Sequence, residues 1–159
     1  MESRFRFLSL NIGMKRNLDG LFAVIDVNKP DIVFLQEVVL SQDELQCQIN
    51  RVGFLCETNS AEDVSKPGTA LLWRSHLQVS NVSNFTIGRA QLALFHNYVL
   101  LNIYAPSGSN LKQARNSFFA EDIFRAFCLY PSYSWVFGGD FNSVLHPSDI
   151  ENGTGFGQK

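Results

Sequence analysis

The spacing of apolar residues changes character several times along this chain, and each change marks an element. Residues 4–12 alternate with the two-residue period of a strand and stop at Gly13. Leu18, Leu21, Phe22 and Ile25 then recur at i, i+3, i+4 and i+7, the stripe of an amphipathic helix that Lys29 and Pro30 end. From Ile32 to Leu35 the chain is continuously apolar, as in a strand covered on both faces. Ser41 and Glu44 have the spacing of a capping box, with Leu40 and Leu45 placed to staple the start of a second helix. After Gly53 the pattern turns β-rich, with strands predicted near 54–57, 69–73, 79–87, Ala90–Phe95 and Tyr98–Tyr104. A longer helix is predicted over 110–128, burying Phe119, Ile123, Ala126 and Phe127, and a last strand at 134–137 ends on Gly138 and Gly139.

Strands joined both by short turns and by helical crossovers predict mixed sheets with helices outside them. The pattern predicts one domain over residues 1–152. The Gly-rich polar stretch 153–159 reads as a disordered tail.

Composition narrows the class. Apolar residues make up 45% and charged residues 18%, enough for a packed core to which the fourteen phenylalanines are expected to contribute much. A net charge of −2 gives no polybasic footprint, so charge offers no argument for a nucleic-acid partner. Cys47, Cys56 and Cys128 are odd in number and lack C-x-x-C spacing. They predict neither a disulfide partner nor a zinc site, and an intracellular, reducing location. The sequons at Asn81, Asn84 and Asn152 then read as chance matches. No run is long and apolar enough for a membrane span, and no secretory apolar region follows Met1, so no membrane partner is expected.

The chemistry-bearing residues sit where apolar strands stop. Asn11 closes the first strand, and Gln36 and Glu37 the second. Asn102 and Tyr104 end the 98–104 run, and Asp140 and Asn142 follow the last strand. Each alone has an ordinary reading as a turn or solvated strand end. In α/β folds, however, groups at one end of adjacent strands converge on a common cleft.

Taken together, Leu10-Asn11-Ile12, Leu35-Gln36-Glu37, Asn102 to Pro106 and Gly139 to Asn142 resemble, in order and spacing, the motifs of the exonuclease–endonuclease–phosphatase superfamily. Gly68 to Leu72 resembles its Gly-initiated central strand. The short lead before the first strand, and Gly138 to Leu145 followed by Pro147 and Asp149, are most similar to the apurinic-endonuclease-like domain of non-LTR retrotransposons. The resemblance implies an α/β, four-layer sandwich of two mixed β-sheets flanked by helices. It also implies metal-dependent phosphodiester hydrolysis, with DNA as substrate and nicking as the outcome, in the nucleus for a retroelement product.

By the same resemblance Glu37 binds Mg²⁺ or Mn²⁺, with Asn11 beside it. Asp140 orients or deprotonates the attacking water. Asn142 holds that water or the phosphate, and the Tyr104 phenol donates to a phosphate oxygen. Asn11 and Asn102 complete the phosphate contacts, Asn102 more remotely. An acidic chain suits this chemistry if a bound cation reverses the local charge.

The family pattern also has a Ser-Asp-His block near the domain's end, which this sequence lacks. His76 and His96 fall in the β-rich middle, and His146 comes too early and in the wrong motif. The expectation is therefore a domain incomplete at its C-terminus and a very poor enzyme, since losing a positioned acid–base group typically costs ~10²–10⁴-fold. Exposed sheet edges are expected to favour self-association. A catalytically inactive remnant, or a phosphoesterase acting on a phosphoinositide or sphingolipid, are the other readings. The lack of a basic amphipathic helix counts against a lipid substrate.

Overall fold

In the computed structural model, which describes residues 4–63 and 65–143, eight strands form two four-stranded mixed sheets laid face to face. The first sheet has the order β1 (Phe7–Asn11), β2 (Ile32–Val38), β4 (Gly68–Arg74) and β3 (Phe54–Asn59). The second runs β5 (Val79–Thr86), β6 (Ala90–Phe95), β7 (Tyr98–Tyr104) and β8 (Ser134–Asp140). Each sheet has one parallel pair, β1–β2 and β7–β8, and is otherwise antiparallel. The two parallel pairs lie over one another, β1 against β8 and β2 against β7.

Period-two alternation sorts the strand residues into three cores. Ile32, Phe34, Leu71, Trp73, Phe95 and Leu100 fill the space between the sheets. Val33, Leu35, Ala70 and Leu72 face the other way, against Leu21 and Ile25 of α1 (Asp19–Asn28) and Leu45 and Ile49 of α2 (Gln42–Ile49). Leu92, Val99 and Leu101 meet the helices of the opposite layer. The four layers match the predicted architecture. The capping box of α2 is formed: Ser41 Oγ accepts from the Glu44 N–H at 3.3 Å, and the Glu44 carboxylate accepts from the Ser41 N–H at 2.9 Å.

The long helix departs from expectation. A 3₁₀ turn at Ser109–Leu111 leads into α3 (Lys112–Ser117), a π-helical stretch at Phe118–Ile123 and α4 (Phe124–Leu129). A π turn is wider than an α turn, so residues five apart share a face. Phe118, Ile123 and Ala126 are consequently buried, while Phe119 is only half-buried and Phe127 is exposed. The phenylalanines also contribute less to the core than expected. Phe34, Phe54, Phe95 and Phe118 are buried, but Phe7, Phe124, Phe127, Phe137 and Phe141 are exposed, and aliphatic residues do most of the filling.

Gly138 and Gly139 belong to β8 rather than to a turn. A Cβ on Gly138 would lie 2.3 Å from the Phe34 ring, and one on Gly139 would lie 2.3 Å from the Ile103 carbonyl oxygen. The pair thus lets β8 approach β2 and β7 closely. Among the described residues no strand pairs with the outer edge of β8. Its outward face carries Trp135 and Phe137, stacked at 5.9 Å, with Phe127 against both.

Cys56 is buried, which pushes its thiol up to about 12, and Cys47 and Cys128 are free and exposed. His76 and His96 occupy exposed turns. Among the described residues no helix is long and apolar enough to cross a membrane. His146, the boundary at 152 and the expected tail at 153–159 lie outside the described residues.

Candidate active site

Because the parallel pairs are superposed, the C-terminal ends of β1, β2, β7 and β8 come to one end of the sandwich. Glu37 stands there on a β-bulge: Gln36 pairs with Thr69 and Val38 with Gly68, and Glu37 between them is skipped. Its φ of 57° is left-handed, a conformation that costs a non-glycine residue about 1–3 kcal/mol. The segment after β1 holds it, since the Gln36 and Glu37 carbonyls accept from the Ile12 and Met14 N–H groups, both at 3.0 Å.

Asn11 joins the two sheets. Its Nδ2 donates to Glu37 Oε1 at 3.0 Å and to Asp140 Oδ2 at 2.8 Å, while its Oδ1 accepts from the Gly13 N–H at 2.9 Å. Two carboxylates, one from each sheet, thus face each other across one amide. The other Asp140 oxygen accepts from the Asn142 N–H at 2.9 Å, and Asn142 Nδ2 donates to the Ala105 carbonyl at 2.7 Å. The Asp140 carbonyl in turn accepts from the Ala105 N–H at 2.9 Å, tying the end of β8 to the end of β7.

Tyr104 is 6% exposed, with the Arg89 guanidinium 4.7 Å from its ring centroid. Burial raises the phenol's pKa, and so do the Glu37 and Asp140 charges, while Arg89 works in the opposite direction. The phenol therefore keeps its proton at neutral pH and is a donor there.

The structure gathers Asn11, Glu37, Tyr104, Asp140 and Asn142 in one place, but not Asn102. That residue is 0% exposed. Its Nδ2 donates to the Leu35 and Ala70 carbonyls, both at 3.0 Å, and its Oδ1 accepts from Gln36 Nε2 at 2.8 Å. With its amide spent between the sheets, Asn102 has no group to offer a phosphate, which corrects the expectation of a contact there. Asn11 turns its nitrogen toward both carboxylates, while its oxygen accepts from the Gly13 N–H. Arg89 was not anticipated. Its one signal in the sequence is a cation between a turn glycine and an apolar strand.

The donor set fits a hard cation. Among the described residues neither Glu37 nor Asp140 has a lysine or arginine ion-pair partner. None of the described residues form a cluster of three or more His, Cys, Asp or Glu side chains suited to a metal. Mg²⁺ needs only one or two carboxylates, completing its shell with water and phosphate oxygens. A zinc site would need more protein ligands.

Residues 8–158 match the sequence profile of the endonuclease/exonuclease/phosphatase family. This chain belongs to that family. Over 142 residues the family domain is 28% identical to recombination repair protein 1 of Drosophila melanogaster, covering 84% of this chain and 21% of that protein. Its fold is similar to that of an AP endonuclease from Archaeoglobus fulgidus, with a TM-score of 0.73, 17% identity, and 92% of this chain and 61% of that chain covered. It is also similar to the endonuclease domain of TRAS1, a telomere-specific non-LTR retrotransposon, with a TM-score of 0.61, 19% identity, and 89% and 60% of the two chains covered. The domain therefore spans about a fifth of the curated relative and about three-fifths of these solved chains.

Proposed function

We propose that this chain carries the metal- and water-binding side of a DNA-hydrolysing site of the retrotransposon-endonuclease type. The observation that carries the reading is the pair of carboxylates from different sheets, Glu37 and Asp140, held on the Asn11 amide beside a protonated Tyr104 phenol. Glu37 holds a Mg²⁺ or Mn²⁺ ion, which when bound neutralises charge building on the phosphate. Asn11 keeps the two carboxylates at fixed separation. Asp140, oriented through its bond from the Asn142 N–H, accepts a proton from the attacking water. Asn142 Oδ1 accepts the second O–H of that water and aims it. Tyr104 donates to a non-bridging phosphate oxygen as charge develops, the preorganised stabilisation that typically dominates such reactions.

His76 and His96 occupy exposed turns, so neither of these described histidines is placed to protonate the leaving oxygen. That observation favours a second reading, a domain that binds metal and phosphate without turnover. Nicking of supercoiled plasmid separates the two. The first reading expects slow nicking that EDTA abolishes and that Asp140→Ala lowers by ~10²-fold or more. Metal binding with no nicking at any enzyme concentration establishes the second. Nicking that survives both EDTA and Asp140→Ala refutes the site.

The same reading proposes self-association through β8. Among the described residues no strand pairs with the outer edge of β8, which carries no lysine or proline and whose Phe137 is 44% exposed, so it is open to edge pairing. Sedimentation should show concentration-dependent oligomers that Phe137→Lys shifts to monomer. A wild-type protein that is monomeric at every concentration would end this proposal.

A further inference from the structure

We propose that Arg89 is a positioning residue for Tyr104, fixing the phenol ring at the cleft. The inference rests on the reading of Tyr104 as the donor to phosphate.

The argument starts in the opposite sheet. Asn59, the last residue of β3, is 0% exposed and directs its whole amide at the turn between β5 and β6. Its Nδ2 donates to the Thr86 and Ala90 carbonyls at 2.9 and 3.1 Å, and its Oδ1 accepts from the Gly88 N–H at 3.0 Å. The turn is closed by the Arg89 N–H donating to the Thr86 carbonyl at 2.9 Å. Gly88 has a φ of +68°, and a Cβ there would sit 3.0 Å from the Ala61 backbone. A buried amide with three satisfied bonds holds a turn in one geometry, so the direction in which Arg89 leaves the backbone is set from across the sandwich.

That direction lies over Tyr104. The Arg89 carbonyl accepts from the Tyr104 N–H at 2.7 Å, and its NH1 reaches the Tyr104 and Ala105 carbonyls, both at 3.4 Å. Among the described residues no carboxylate forms an ion pair with Arg89. Its charge is spent on the aromatic face, a cation–π contact that restricts the ring. The charged groups that face the phenol are Glu37, Asp140 and Arg89. Arg89 is the one cation of these three, so its guanidinium over the ring is what a titration of the phenol can detect.

Protein labelled with 3-fluorotyrosine, whose hydroxyl titrates below that of tyrosine, permits the measurement without alkaline denaturation. The ¹⁹F resonance of position 104 is assigned by its absence in Tyr104→Phe, which separates it from Tyr98, Tyr130 and Tyr133. In Arg89→Gln its titration midpoint should rise by about 1 pH unit, as for loss of one close opposing charge. Arg89→Lys should recover more than half of that rise, because the charge returns without the planar fork. Arg89→Met keeps aliphatic cover over the ring and replaces Arg89→Gln if that variant melts early. An unmoved midpoint in the neutral variants, or equal shifts in Arg89→Lys and Arg89→Gln, would show that Arg89 only packs against the ring. The titration uses no DNA. Nicking that is unaffected by Tyr104→Phe would instead remove the role given to Tyr104 and leave the Arg89 result standing.

Discussion

Glu37→Gln is expected to remove divalent-cation binding while leaving the fold in place. The glutamine Oε1 can still accept from Asn11 Nδ2, where Glu37 Oε1 accepts at 3.0 Å, so the bulge and the bridge survive while the charge is lost. Calorimetric titration of Mn²⁺ into the wild-type protein should show one site. The variant should bind more weakly by over ~10–100-fold, the loss typical of deleting a group merely next to a ligand. A site relying on Asp140 alone would bind both proteins alike, and that result would sink the assignment of Glu37.

Asn102→Leu is expected to produce the largest loss of stability of any substitution near the site. It strips donors from the buried carbonyls of Leu35 and Ala70 and an acceptor from Gln36, which retains only a longer bond to Ser9 Oγ at 3.3 Å. Each of these three hydrogen bonds is worth about 0.5–1.5 kcal/mol net, so the total loss is on the order of 3 kcal/mol. At roughly 2–4 °C per kcal/mol for a chain of this size, melting should fall by about 10 °C. Mn²⁺ binding measured well below that temperature should persist. Unchanged melting with weakened phosphate binding would return Asn102 to the ligand role its motif suggested.

The residues that lined up at the cleft were visible in the sequence because a strand end is a compositional event. Leu10 to Asn11, Leu35 to Gln36, and Gly139 to Asp140 each mark where an apolar or glycine run stops, and a parallel pair sends such stops to the same end. The capping box of α2 was equally plain, being a local contact between residues three apart. What stayed hidden depends on partners far along the chain. Nothing local distinguishes Asn59, beside Thr58 and Ser60, as a wholly buried pin for a turn in the other sheet. Asn102 and Asn11 are both strand-end asparagines, yet one faces the sheet interface and the other the cleft, a difference set by packing. The left-handed Glu37 has no glycine to announce it. The π stretch is invisible to a count that assumes one helical period, and it changed which phenylalanines are covered.

Glu37 and Asp140 belong to different sheets, so their separation is set by how closely those sheets dock, and Gly138 against Phe34 fixes that approach. A cation on Glu37 would draw on that docking, because the Asn11 amide that positions Glu37 is bonded as well to Asp140 of the other sheet. Ligand bound only by the docked form stabilises it by about 2.7 kcal/mol at a concentration 100 times its dissociation constant. Magnesium concentration would then govern the integrity of the domain as well as its chemistry, and cation depletion would loosen the sandwich at the end where substrate is received.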